Sequence, residues 1–132
     1  MNCLLDTHAF LWAAFEPSRL SASARRVLLD PASTAHVSAV SFWELSLKFK
    51  LGKLELHGVT PEDLPAAAEQ MGFALIPLDP AEAASHARLD RTAHKDPFDR
   101  MLIWQALQRQ MVLISADAHL EAYRKLGLQV LW

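Results

Sequence analysis

Apolar and polar positions alternate between two rhythms along this chain. Asn2 to Leu5 is a short apolar run that stops at Asp6, as a buried strand does. Ala9 to about Phe15 follows as a short helix that must end before Pro17. Ser21 opens a second helix, which runs to about Asp30 ahead of Pro31. Thr34–Val37 reads as a second strand, ending near Ser38. Val40 to Leu51 spaces Phe42, Leu45, Leu47 and Phe49 among polar residues, and Gly52 can close that helix. Pro61 opens another helix, which ends near Gly72. Phe73–Ile76 is a third strand, and Asp79-Pro80 starts a helix through about Leu89. Pro97 to Gln110 is the longest helical pattern. Met111–Ile114 is a fourth strand, His119–Leu126 a short helix closed by Gly127, and Leu128–Leu131 a last strand. Strands alternating with helices predict an α/β fold around a central, mostly parallel sheet of four to five strands.

Composition narrows the class. The 132 residues suit one domain spanning 1–132, and 52% hydrophobic against 21% charged residues supports a packed core rather than disorder. A net charge of −2 is far from that of a protein that coats nucleic acid, although a local basic patch is compatible with it. Cys3, the one cysteine, sits in an apolar run and reads as a small core residue; one cysteine makes neither an intrachain disulfide nor a thiolate zinc site. No stretch approaches the roughly 18 apolar residues of a membrane span, and the N-terminus lacks a basic leader. The expectation is a soluble, cytoplasmic protein with no membrane partner.

The acids carry the chemistry. In open parallel sheets, ligands bind beyond the carboxyl ends of the strands. Asp6 follows strand one and Asp117 follows strand four. Glu44 lies near the start of the helix after strand two, and Asp96 and Asp99 lie at the start of the helix leading into strand four. That helix start falls on the same sheet edge, so four sequence regions offer acids to one rim. Each acid also has an ordinary scaffold use. Asp6 can cap the next helix, and Ser41 and Glu44 have capping-box spacing. Asp96 before Pro97 is a good helix cap, Asp99 suits the helix dipole, and Asp117 can turn the backbone over His119.

Convergence weakens the scaffold account. Two carboxylates about 4 Å apart repel by about 4 kcal/mol at an effective dielectric near 20. A cluster persists only if some members are protonated or a cation compensates. Oxygen donors point to Mg²⁺, with Mn²⁺ as a substitute. Such a site suits phosphodiester hydrolysis. A polyanionic substrate would call for cations around it: Lys48, Lys50 and Lys53 follow Glu44, and Arg91, His94, Lys95 and Arg100 flank Asp96 and Asp99.

These residues also carry a resemblance. Leu4–Trp12 (LLDTHAFLW), Ser38–Leu45 (SAVSFWEL) with Lys50–Leu54 (KLGKL), Asp96–Ile103 (DPFDRMLI) and Leu113–Asp117 (LISAD) occur in that order. Together the chain resembles a PIN domain, most closely the VapC-type toxin ribonucleases of bacterial toxin–antitoxin pairs. The resemblance implies a three-layer α/β/α fold and a metal-dependent endoribonuclease, in which water activated by Mg²⁺ or Mn²⁺ hydrolyses RNA. It carries the family acids onto Asp6, Glu44, Asp99 and Asp117 as catalytic and metal-binding residues, with Asp96 an additional acid of this subgroup. Thr7 and Ser115 match supporting, hydrogen-bonding positions. Lys48, Lys50, Lys95 and Arg100 are the candidate RNA contacts. The resemblance further implies a toxin homodimer and a cognate antitoxin whose C-terminal segment masks the groove. Phe10, Leu11, Trp12 and Phe15, with Trp43 and Trp104, are candidates for apolar surface that a partner covers.

Three rivals stand beside this reading. A haloacid-dehalogenase-like phosphatase wants a second acid two residues after Asp6, where His8 stands. A signalling receiver domain wants adjacent acids there and a lysine after the last strand, where Leu131-Trp132 stands. A catalytically silent RNA- or protein-binding module of the same fold is the third.

Overall fold

The computed structural model describes residues 1–90 and 94–132; Arg91 lies outside them. Five strands form one sheet: β1 (Asn2–Leu5), β2 (Thr34–Ser38), β3 (Ala74–Ile76), β4 (Val112–Ile114) and β5 (Val130–Leu131). Their order is β3-β2-β1-β4-β5, and every pairing is parallel. The sheet is thus wholly parallel. Among the described residues six α-helices, α1 (Thr7–Phe15), α2 (Ala22–Leu29), α3 (Ala39–Lys50), α4 (Leu64–Gln70), α5 (Pro80–Ser85) and α6 (Pro97–Arg109), cover it, with three-ten segments between them and after β4.

The strand residues sort to two faces. Cys3, Leu5, Ala35, Val37 and Ile114 pack with Ala9 and Phe10 of α1, Ala24 of α2, Leu45 of α3 and Ala68 of α4. Leu4, Ile76 and Leu113 pack with Leu102, Ile103, Trp104 and Ala106 of α6 and with Leu120 and Tyr123. Alternation along β1 sends Leu4 one way and Leu5 the other, so both faces need a helical layer. This is the three-layer α/β/α arrangement. Among the described residues no helix is long and apolar enough to cross a membrane.

Local differences from the sequence reading have physical causes. Ser38, not Ser41, caps α3, its hydroxyl accepting from Val40 N at 3.1 Å. The capping box of Ser41 and Glu44 does not form; both side chains are buried against α1 instead. The helix after Asp79 stops at Ser85 and continues as a three-ten turn. Ala118–Leu126 is three-ten rather than α. Leu120 and Tyr123 are its buried residues, and a spacing of three aligns them only in that tighter helix.

The strand order fixes where a site can be. From β1 the chain moves toward β2, and from β4 toward β5, so β1 and β4 part company at their carboxyl ends. Leu5 pairs with Ile114, and Asp6 N donates to Ile114 O at 3.0 Å. Asp6 and Ser115 therefore leave the sheet side by side.

Candidate active site

Each acid is set by its own element. Asp6 caps α1, accepting from Ala9 N at 2.8 Å, so its carboxylate is held over the end of β1. Asp96 caps α6, accepting from Phe98 N at 2.8 Å and Asp99 N at 3.1 Å, with Pro97 next. That start puts Asp99 in the first turn. Asp117 follows β4, its backbone N donating to Ser115 Oγ at 3.1 Å, and turns the chain over His119 N at 2.9 Å.

Asp6, Asp99 and Asp117 line one pocket with His94 and the buried Ser115. Burial pushes the Asp6 carboxyl above the usual range, although bonds from the Ser115 hydroxyl and Ala9 N–H offset part of that; the Asp117 charge adds to the rise. Asp99 is raised to about 6, first by burial, then by Asp96, Glu44 and Asp6. Negative charge in this pocket is therefore under-compensated by the protein itself. Asp117 is the exception. Burial would raise it, but bonds from His94 and His119 outweigh that and hold it low. His94 Nε2 lies 2.5 Å from Asp117 Oδ2, and His119 Nδ1 lies 3.1 Å from Oδ1. The buried Tyr123 hydroxyl in turn sits 3.2 Å from His94 Nδ1.

Glu44 belongs to the same field but is otherwise engaged. It is 2% exposed. Thr7 Oγ1 donates to its Oε1 at 2.7 Å and also lies 3.0 Å from Ser41 Oγ; its Oε2 forms an ion pair with Lys48. Burial opposes the Lys48 charge, yet Glu44 raises its pKa on balance. Arg100 is likewise committed, donating to the carbonyls of Leu89 (2.9 Å), Asp90 (3.2 Å) and His94 (3.5 Å). Of the four cations expected to meet RNA, two thus have partners inside the protein, while Lys50 and Lys95 are exposed. His94, read as one of several cations near Asp96 and Asp99, is instead the partner of Asp117.

Apart from the His94 imidazole, whose Nε2 is taken up by Asp117, the donors lining the pocket are carboxylate and hydroxyl oxygens, a set that fits a hard divalent cation. As the side chains stand, no three Asp, Glu, His or Cys groups among the described residues close on one point as an ion cage.

A family model described as PIN domain matches residues 3–126. The chain belongs to the PIN domain family. It is 28% identical over 121 residues to Ribonuclease VapC22 of Mycobacterium tuberculosis, covering 92% of this chain and 91% of that protein. The solved VapBC2 from Rickettsia felis, bound to a DNA fragment from their promoter, matches with a TM-score of 0.67 at 13% identity, covering 99% of this chain and 98% of that one. VapBC-5 of M. tuberculosis, a member of the VapBC family of toxin–antitoxin systems, matches at 0.61 and 16%, covering 98% and 97%.

Within this PIN fold, three of the four principal acids read from the sequence share a pocket, and the fourth stands behind it. Sequence reasoning missed three things. The hydrogen bonds joining Thr7, Ser41 and Glu44 cross between α1 and α3, which no local spacing encodes. The His94–Tyr123 contact spans 29 positions. The third is the wall of a wider groove beside the acids, made by His8, Trp12 and Arg19. The LLDTHAFLW stretch holds two of those residues, and its helical spacing of four between His8 and Trp12 was the available signal.

Proposed function

We propose that this PIN domain is a metal-dependent endoribonuclease and the toxin of a toxin–antitoxin pair. The observation that carries the reading is the pocket at the parting of β1 and β4. Three carboxylates from separate chain regions line it, with one of them raised to about 6. The likeness to Ribonuclease VapC22 supports the substrate class.

Asp6, Asp99 and Asp117 would hold Mg²⁺ or Mn²⁺, with Asp96 at the edge of the set. Bound there, the cation supplies charge neutralisation and Lewis-acid activation of water and phosphate. The chain's own residues do the rest. Thr7 and Lys48 fix Glu44, whose charge deepens the negative field on Asp99. Ser115 braces Asp117 through its backbone and Asp6 through its carboxylate. His94, backed by Tyr123, keeps Asp117 ionised and oriented. Lys50 and Lys95 draw the RNA backbone toward the rim.

The partners follow the likeness to the VapBC systems. An antitoxin segment would seat in the apolar cleft lined by Ala13, Pro17, Leu20, Leu28, Met71 and Phe73. The Pro17–Arg19 turn separates that cleft from the groove beside the acids, so one segment can reach both. A homodimer would use the exposed row Trp43 and Leu47 on α3 with Leu51 at its C-terminal end. Phe10 and Trp104, counted among the apolar surface candidates, are core residues.

The test is cleavage of total RNA with Mg²⁺ or Mn²⁺. The unsubstituted chain cuts, EDTA stops it, and Asp6→Asn or Asp99→Asn lowers the rate about a hundredfold or more while the fold persists. Full activity in either variant would sink the assignment, and binding without cleavage would favour the silent module.

A further inference from the structure

The groove beside the carboxylate pocket is lined by Asp6, Asp99 and Asp117 together with His8, Trp12 and Arg19. It encloses about 970 Å³ of space open to solvent. Among the described residues that line it, Arg19 is the one permanent cation.

Arg19 is held in a defined place. Its Cζ sits 4.7 Å from the centre of the Trp12 ring. That ring is itself flanked by His8, with centroids 5.9 Å apart, and by Trp132 at 5.5 Å. Two aromatic neighbours therefore fix Trp12, and Trp12 fixes the guanidinium. Among the described residues Arg19 makes one ion pair, to Glu16 at 3.8 Å, with both side chains more than half exposed. Such a pair contributes little and does not account for the placement. An exposed stack of arginine on tryptophan adds only about 0.5–1 kcal/mol. What distinguishes this one is its place in the lining of the same groove as three acids.

We propose that Arg19, stacked on Trp12, binds a backbone phosphate of single-stranded RNA and so positions the nucleotide next to the bond that is cut. This rests on the nuclease reading above. A polyanion that reaches Asp6, Asp99 and Asp117 runs along a wall of its own charge. It needs a compensating cation at one fixed point. A guanidinium presents a planar fork that matches two phosphate oxygens, and stacking pre-orders that fork. Lys48 and Arg100 do not serve here, because their partners lie inside the protein.

The test uses the full chain and a fluorescein-labelled uridine decamer, followed by anisotropy over a salt series, once in EDTA and once in Ca²⁺. Arg19→Ala raises Kd about tenfold, as loss of one charge-assisted contact does. It also flattens the slope of log Kd against log salt by ~0.7, the single-strand value for one phosphate. Arg19→Lys keeps the slope and recovers only part of the affinity. Trp12→Leu keeps the charge and so the slope, but raises Kd about threefold as the guanidinium loses its platform. In steady-state cleavage the Arg19→Ala loss falls mainly on KM. Circular dichroism checks that each variant is folded.

Unchanged affinity and slope in Arg19→Ala overturn the proposal and leave the nuclease reading intact. If the unsubstituted chain binds the decamer but cuts no RNA with Mg²⁺ or Mn²⁺, the nuclease reading falls, and the Arg19 slope alone decides the phosphate site. No decamer binding in either buffer overturns the phosphate site as proposed, and the nuclease reading then stands or falls on the cleavage of total RNA.

Discussion

At neutral pH Asp99 carries its charge partly out of water and within reach of Asp96, Glu44 and Asp6. Its folded pKa of about 6 lies above the ordinary 3.8, so the folded state holds this proton more tightly than the unfolded chain does. The unfavourable contribution of Asp99 is therefore absent below about pH 4, grows through the interval, and is complete above about pH 6. Removing the charge should stabilise the protein. In metal-free buffer at about pH 7.5, Asp99→Asn raises Tm by a few degrees, on the order of 1 kcal/mol after allowance for solvent screening. At about pH 4 the two melt together. Added Mg²⁺ raises the Tm of the unsubstituted chain and narrows the gap. A Tm for Asp99→Asn at or below that of the unsubstituted chain at about pH 7.5 would contradict the electrostatic account. The identity of this acid was legible because strand ends and helix starts are written in local apolar patterns. Its charge state was not, since it depends first on burial and then, beyond the adjacent Asp96, on Glu44 and Asp6 brought in by the fold.

Among the elements, α6 is the one whose start matters most. Asp96 Oδ1 accepts both Phe98 N and Asp99 N, which accounts for the residue as a cap without any metal. Asp96→Ala should cost about 1 kcal/mol in chemical denaturation, and Asp96→Ser, which can still cap, only a few tenths. If Asp96 is scaffold alone, Asp96→Ser keeps most of the RNA cleavage; a folded Asp96→Ser that cannot cleave would move Asp96 into the metal-binding set. The Asp96-Pro97 pair was readable from sequence because a cap and its N–H donors lie within three residues. The start of α3 was read within one residue, but its capping group was not. Ser38 and Ser41 both have cap chemistry, and the choice falls to Ser38 because Ser41 is drawn into the contact of Thr7 with Glu44. Further along α6, Gln105 bonds Ser38 Oγ at 2.5 Å, tying α6 to the end of β2 and so holding both helix starts on one rim.

For the whole molecule, the all-parallel order β3-β2-β1-β4-β5 makes a single parting of strands, and the acids gather there. The same packing leaves part of α3 uncovered. Trp43 is 61% exposed, though its ring meets Phe98 edge-on at 4.9 Å. Leu47 and Leu51 continue the row one and two turns on. If this face joins two copies, Trp43→Glu weakens the dimer at least about tenfold, because a buried aromatic anchor is replaced by an unpaired charge. Sedimentation velocity over a dilution series measures that change. A dimer of unaltered strength would place the interface elsewhere.

The sequence by itself determined the class of fold, the strand ends on which Asp6 and Asp117 stand, and the helix start that carries Asp99. Those follow from local periodicity and from caps a few residues long. Tertiary structure alone decided which groups answer one another. Glu44 is matched to Thr7, Asp117 to His94 and through it to Tyr123, and Arg100 to backbone carbonyls. It also decided that Arg19 and Trp12 line one groove with the acids. The reason is physical. A carboxylate's partner is whichever donor the folded chain brings within about 3 Å, and Thr7 and His94 reach Glu44 and Asp117 from 37 and 23 residues away.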